Sequence, residues 1–89
     1  MPKRVDANQA SMVKALREAG LHVTDIHEVG KGVPDLLVTK GARMLLVEVK
    51  DKNGRLTPHE VEWHADFPED GPLIVATVAE DVLRWFRII

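Results

Sequence analysis

The sequence contains no cysteine. Disulfides and thiolate metal sites are thereby excluded, and the absence fits a reducing compartment. No apolar run approaches the ~18 residues a membrane span needs. The basic start, Met1-Pro2-Lys3-Arg4, is not followed by an apolar signal core, so the expected location is the cytoplasm. There is no basic surplus either: 12 Lys and Arg stand against 14 Asp and Glu, for a net charge of -2. Nucleic-acid binders usually carry such a surplus, so the balance leans away from that class unless a bound divalent cation offsets it. The chain has no internal repeat, low-complexity stretch or linker. His22 and His27 lie five apart, as do His59 and His64, so neither pair makes the helical zinc spacing of H-E-x-x-H.

What is present reads as one small domain over residues 1–89. The apolar share of 45% and charged share of 29% are ordinary for a globular chain. At this length roughly 60–65% of the unfolded surface is buried, enough to fold alone with little stability to spare.

Met12, Val13, Leu16 and Ala19 recur at helical spacing and predict a helix over about Ala7–Ala19, with Asp6 or Asn8 as N-cap and Gly20 as its stop. His22–Ile26 reads as a first strand. Glu28–Gly32 reads as a loop. Pro34 lacks an N–H and belongs at a strand start, so Asp35–Thr39 is the second strand. After a turn at 40–43, the unbroken apolar run Met44–Val49 predicts a central strand covered on both faces. Thr57-Pro58-His59-Glu60 carries the signals of a helix start, with Thr as N-cap and Glu able to close a capping box. That helix should run to about Asp66. A strand over Leu73–Val78 and a helix over Glu80–Ile88 complete the order helix, three strands, helix, strand, helix. This is an α/β fold, a mixed sheet flanked by helices.

Within this frame Pro34-Asp35 opens one apolar strand and Glu48-Val49-Lys50 closes the next. In an antiparallel hairpin the start of one strand faces the end of the other, so Asp35 approaches Glu48 and Lys50. Carboxylates beside apolar strand cores need something to hold them. Asp35 and Glu48 offer the hard oxygen donors that Mg²⁺ prefers, with the backbone carbonyl of Val49 as a further candidate ligand. Lys50 lies two residues beyond Glu48 and so shares its strand face. A metal and an ammonium on one surface suit phosphodiester cleavage, in which charge develops on phosphorus-bound oxygens. Neighbouring carboxylates favour Lys50 as a charged stabiliser over Lys50 as a base. The plainer alternative is a Glu48–Lys50 ion pair on a strand and Asp35 in a Pro-Asp turn.

These residues resemble the PD-(D/E)xK nuclease signature. More narrowly, the chain is similar to small stand-alone VRR-NUC nucleases of phages and bacteria, relatives of Holliday-junction resolvases. The resemblance rests on Asp6-Ala7-Asn8-Gln9, Leu16–Gly20, Val29–Val38, Val47–Asp51 and Leu56-Thr57-Pro58, within residues 6–64. It implies a restriction-endonuclease-like core and an Mg²⁺- or Mn²⁺-dependent endonuclease. Asp35 and Glu48 would be ligands and Lys50 catalytic, with a leaning toward branched DNA in a bacterial cell or phage-infected host. The chain departs from the pattern twice. Many relatives carry an acid on the first helix, where this chain offers Gln9, an acceptable but weaker oxygen donor; Glu18 reads as surface. Relatives often have Gln where Glu60 stands, and Glu60 either joins the site or only closes the capping box.

Basic residues gather near the motif: Lys31, Lys52, Arg55 and, at a helix start, His59 are candidate DNA contacts, against the plain reading of solvated loop charge. His64 reads as a partly buried packing residue. Trp63 reads as core, with base stacking as the alternative. One site per chain implies a C2 dimer for cutting two strands, with Val82, Leu83, Trp85, Phe86, Ile88 and Ile89 as candidate interface, Trp85 and Phe86 reading equally as core. The competing class is a non-catalytic binding module that retains the fold.

Overall fold

The computed structural model describes residues 7–89, so the basic start and the candidate cap Asp6 lie outside the described residues. Helix α1 covers Ala7–Glu18, strand β1 His22–Asp25, β2 Leu36–Lys40 and β3 Arg43–Val49. Helix α2 covers Pro58–Asp66, β4 Leu73–Ala76 and α3 Ala79–Trp85. The sheet order is β1-β2-β3-β4. The first three strands are antiparallel and β4 joins β3 in parallel, giving the expected α/β mixed sheet, compatible with a restriction-endonuclease-like fold.

The core lies on one face of the sheet. Alternate residues Val23, Leu36, Val38, Leu45, Val47, Val49 and Ala76 are buried there against Met12 and Leu16 of α1 and Val82 and Phe86 of α3. Period-two alternation along the strands meets helical spacing on α1, and removal of this apolar surface from water drives the assembly. Gly20, at φ +93, ends α1 in the left-handed region that glycine tolerates. The hairpin register pairs Leu36 with Val47 and Lys40 with Arg43. The start of β2 thus sits beside the end of β3.

Several expectations change. The β3 strand is central but not covered on both faces: on the side away from α1 and α3, Met44 is 49% exposed and the neighbouring Val75 of β4 45%. The apolar run therefore did not report double coverage. The β2 strand begins at Leu36, one residue after Asp35, because Asp35 spends its side chain on β3. Asn8 does not cap α1; it lies inside the helix, and its amide donates to the carbonyls of Lys50 and Thr77 at 3.2 Å each. A short 3-10 turn, His27–Val29, occupies the presumed loop. The β4 strand stops at Ala76 because Asp81 accepts the N–H groups of Thr77 and Val78, turning the chain into α3. That helix ends at Trp85, with Arg87 left-handed at φ +62.

Most of the terminal apolar segment packs against the protein's own core, while Ile89 stays exposed. Val82 and Phe86 are buried, and Leu83, Trp85 and Ile88 pack against them. Arg43 fastens this end, donating to the Phe86 and Trp85 carbonyls and lying 4.5 Å over the Trp85 ring.

Candidate active site

Pro34 is fully buried and delivers Asp35 to the edge of the sheet. The Asp35 N–H donates to the Val47 carbonyl at 3.0 Å. Its carboxylate accepts the Val49 N–H at 2.9 Å. Asp35 is thus pinned across β3 from both ends. Glu48 projects from the opposite strand face to Val47 and Val49, yet it is only 1% exposed. Lys50 shares its face, with Nζ 3.9 Å from Glu48 Oε2.

Helix α2 closes over this face. Glu60 Oε1 lies 2.8 Å from Lys50 Nζ. Glu60 also closes the capping box: the Thr57 N–H donates to its carboxylate, and its own N–H donates to Thr57 Oγ1. The choice between a site residue and a cap does not arise, since one carboxylate contacts both groups. One turn along, His64 Nε2 stands 3.9 Å from Glu48 Oε1, and both atoms are buried without a hydrogen-bond partner. His64 is thus partly buried against Glu48, in keeping with its reading as a packing residue, and lies outside the cleft lining. The i,i+4 spacing of Glu60 and His64 puts both on one helix face.

The electrostatics follow from this crowding. Burial, a hydrogen bond with Asp35, and the charges of Asp35 and Glu60 push the Glu48 carboxyl up to about 9; only Lys50 opposes them. The Glu48 carboxyl therefore keeps its proton well above the usual carboxylate range, since burial and neighbouring negative charge both disfavour its ionised form. Burial works against the Lys50 ammonium, but Glu60, Glu48 and Asp35 outweigh it and raise its pKa. Burial likewise opposes the Glu60 charge, and Lys50 with the Thr57 N–H outweighs it, holding Glu60 below its usual range. Burial, then the Lys50 charge, lowers His64 despite the opposing Glu60.

Asp35, Glu48, Val49 and Lys50 form the floor of a cleft of about 390 Å³. One wall is the segment His27 and Gly30–Val33; the other is Thr57, His59 and Glu60; Gln9 lies at the back. Gly32 sits so close to α2 that a Cβ would stand 2.2 Å from the His59 carbonyl oxygen. Of the candidate DNA contacts, Lys31 and His59 line the cleft, whereas Lys52 and Arg55 lie exposed in the loop after β3, outside the lining. Trp63 is half-buried and stacks on Phe67 at 5.3 Å. Asp25 was missed altogether. It accepts from the Gln9 amide at 3.1 Å and from the His27 N–H at 2.9 Å.

The donor set fits a hard divalent cation. Glu48 keeps a proton beside Asp35 that a cation can replace, and among the described residues Glu48 Oε1 has no hydrogen-bond partner. Among the described residues no three His, Cys, Asp or Glu side chains are grouped for a metal. Among the described residues no helix is long and apolar enough to cross a membrane.

No curated protein and no solved structure matches the chain. The family model of the VRR-NUC domain does match, over residues 3–80, a span that contains every residue of the cleft. The chain therefore belongs to the VRR-NUC family, whose domain points to a nuclease acting on DNA.

Proposed function

We propose that this protein is a divalent-metal-dependent endonuclease that hydrolyses DNA phosphodiester bonds. The observation that carries the reading is the buried Glu48 carboxyl, pushed up to about 9 beside Asp35, with the Lys50 ammonium 3.9 Å away. Asp35 and Glu48 would hold Mg²⁺ or Mn²⁺, with the Val49 carbonyl and the Gln9 amide oxygen as supporting donors. A cation bound there supplies a Lewis acid for the scissile phosphate and lowers the pKa of a coordinated water. Lys50, kept charged by Glu60 and Glu48, neutralises the negative charge that grows on the phosphoryl oxygens. Glu60 fixes the reach of Lys50 and ties it to the start of α2. Lys31 and His59 stand where the backbone of a DNA strand enters the cleft; Lys52 and Arg55 extend the basic surface beyond it.

Kinship with junction resolvases supports branched DNA as substrate. One site per chain supports a homodimer, and the half-covered sheet face around Leu37, Leu46, Met44 and Val75 offers it apolar surface. A binding module is favoured by one observation, the Gln9 amide engaged by Asp25 where relatives carry an acid. The deciding experiment is Mg²⁺- and Mn²⁺-dependent cleavage of duplex, flap, nicked and four-way-junction DNA, with Lys50→Ala alongside. Metal-dependent cleavage lost in the variant supports the enzyme, and the preferred member names the substrate. No cleavage by folded wild-type protein supports the binding module.

A further inference from the structure

Asp25 and His27 are the titratable cluster that the proposed chemistry leaves unused. The Asp25 carboxylate accepts three N–H groups: the His27 backbone at 2.9 Å, the Gln9 amide at 3.1 Å, and His27 Nδ1. Because a carboxylate only accepts, Nδ1 carries a proton and the ring is held in one orientation. Among the described residues Nε2 makes no hydrogen bond, and His27 lines the same cleft as Asp35, Glu48 and Lys50. A histidine oriented by a carboxylate, with its other nitrogen unspent beside a phosphodiester site, is equipped to bind an anion.

We propose that Asp25 and His27 form a phosphate-binding dyad on the cleft wall: His27 presents Nε2–H to a phosphate oxygen of the DNA strand, and Asp25 positions the ring. The inference rests on the reading of the chain as a DNA nuclease. A ring protonated at both nitrogens donates to Asp25 and to the phosphate at once. The surrounding charges are mixed. The loop of His27 adds Glu28 and Lys31; from α1 the neutral Gln9 lines this cleft, and Lys14, Arg17 and Glu18 line a neighbouring pocket with Asp25. The cleft floor holds Asp35, Glu48 and Lys50, and the α2 wall holds His59 and Glu60. Lys31 lies four residues from His27, is left-handed at φ 56 between Gly30 and Gly32, and lines the same cleft.

The test is the salt dependence of DNA binding, read by fluorescence anisotropy of a labelled duplex at pH 6 in EDTA. Each phosphate contact contributes about 0.9 to the slope of log K against log salt. His27→Gln is expected to weaken binding several-fold and to flatten the slope by up to about 0.9. His27→Arg restores the slope, because it returns a cationic donor without the Asp25-bound ring. In the cleavage assay His27→Gln raises KM and leaves kcat unchanged, the pattern of lost uniform binding. An unchanged slope in a folded His27→Gln protein, or failure of His27→Arg to restore it, overturns the dyad. So does wild-type protein that does not bind DNA. Wild-type protein that binds with the expected slope but never cuts DNA overturns the endonuclease reading and leaves the dyad standing.

Discussion

Glu60 and Lys50 meet at 2.8 Å across the seam between α2 and the end of β3. The same Glu60 oxygen accepts the Thr57 N–H at 2.9 Å, so the start of α2 and the charged end of β3 are tied through one atom. A helix otherwise resting on a half-covered sheet face is thereby docked over the carboxylates.

Substitutions at Glu60 separate its two contacts. Glu60→Gln keeps an acceptor for the Thr57 N–H and removes the charge beside Lys50, so thermal stability stays close to wild type. Without that charge the Lys50 pKa falls, and the alkaline limb of the cleavage profile moves to lower pH. Glu60→Ala also loses the capping hydrogen bond and costs about 1 kcal/mol in urea melts.

The raised Glu48 carboxyl makes stability depend on pH. Its pKa is about 9 in the folded protein against an ordinary 4.5. Between those values the folded state holds a proton that the unfolded state has released, so stability falls as pH rises from about 4.5 to 9. Asp25 acts the other way. Burial opposes its charge, but the His27 and Gln9 contacts outweigh it and lower its pKa, so its contribution is lost only on the acid side. Urea melts in EDTA across this range should show the decline, and Glu48→Gln should remove it. Adding a divalent cation at about a hundred times its Kd should restore about 2.7 kcal/mol. The gain should grow with pH, since cation and proton compete, and should vanish in Asp35→Ala.

Gly32 carries the cleft wall. Gly32→Ala puts a Cβ 2.2 Å from the His59 carbonyl oxygen at a residue with φ +86, so the loop must retreat from α2. A loss of ~1–3 kcal/mol is expected. Gly41→Ala, at φ +60 with nothing near its Cβ, meets no such contact and should cost less. Paired denaturant melts of the two variants check this.

The half-covered sheet face gives the dimer a location. Leu37, Leu46 and Leu73 lie in register across β2, β3 and β4, flanked by Met44 and Val75. Leu46→Glu should shift sedimentation of the protein toward monomer while leaving the melt of the monomer near wild type. Substitution of the exposed Ile89 should leave sedimentation unchanged.

Much of the fold was legible because its signals are local. The helical spacing of Met12 and Leu16, the stop at Gly20, the Thr57-Pro58 start and the hairpin alternation each report on the few residues around them. The meeting of Asp35 with Glu48 and Lys50 followed from hairpin register alone. Failures came where a distant group decided. Asn8 left the cap position because the ends of β3 and β4 offered it carbonyls. The β4 strand ended early because Asp81 captured two of its successor N–H groups. The C-terminal apolar residues left interface and core both open because a sequence does not say which apolar surface its own core consumes.

The sequence by itself determined the element order, the strand pairing of the first hairpin and the two carboxylates with their lysine, since period and turn chemistry act over a few residues. Only the tertiary structure decided what surrounds them. The placement of α2 over β3 made Glu60 both cap and ion-pair partner and drew His64 to Glu48. It also buried Glu48 deeply enough to keep its proton. The packing of α1 against β1 brought Gln9 to Asp25. Those outcomes depend on desolvation and on contacts between residues far apart in the chain, which no local pattern encodes.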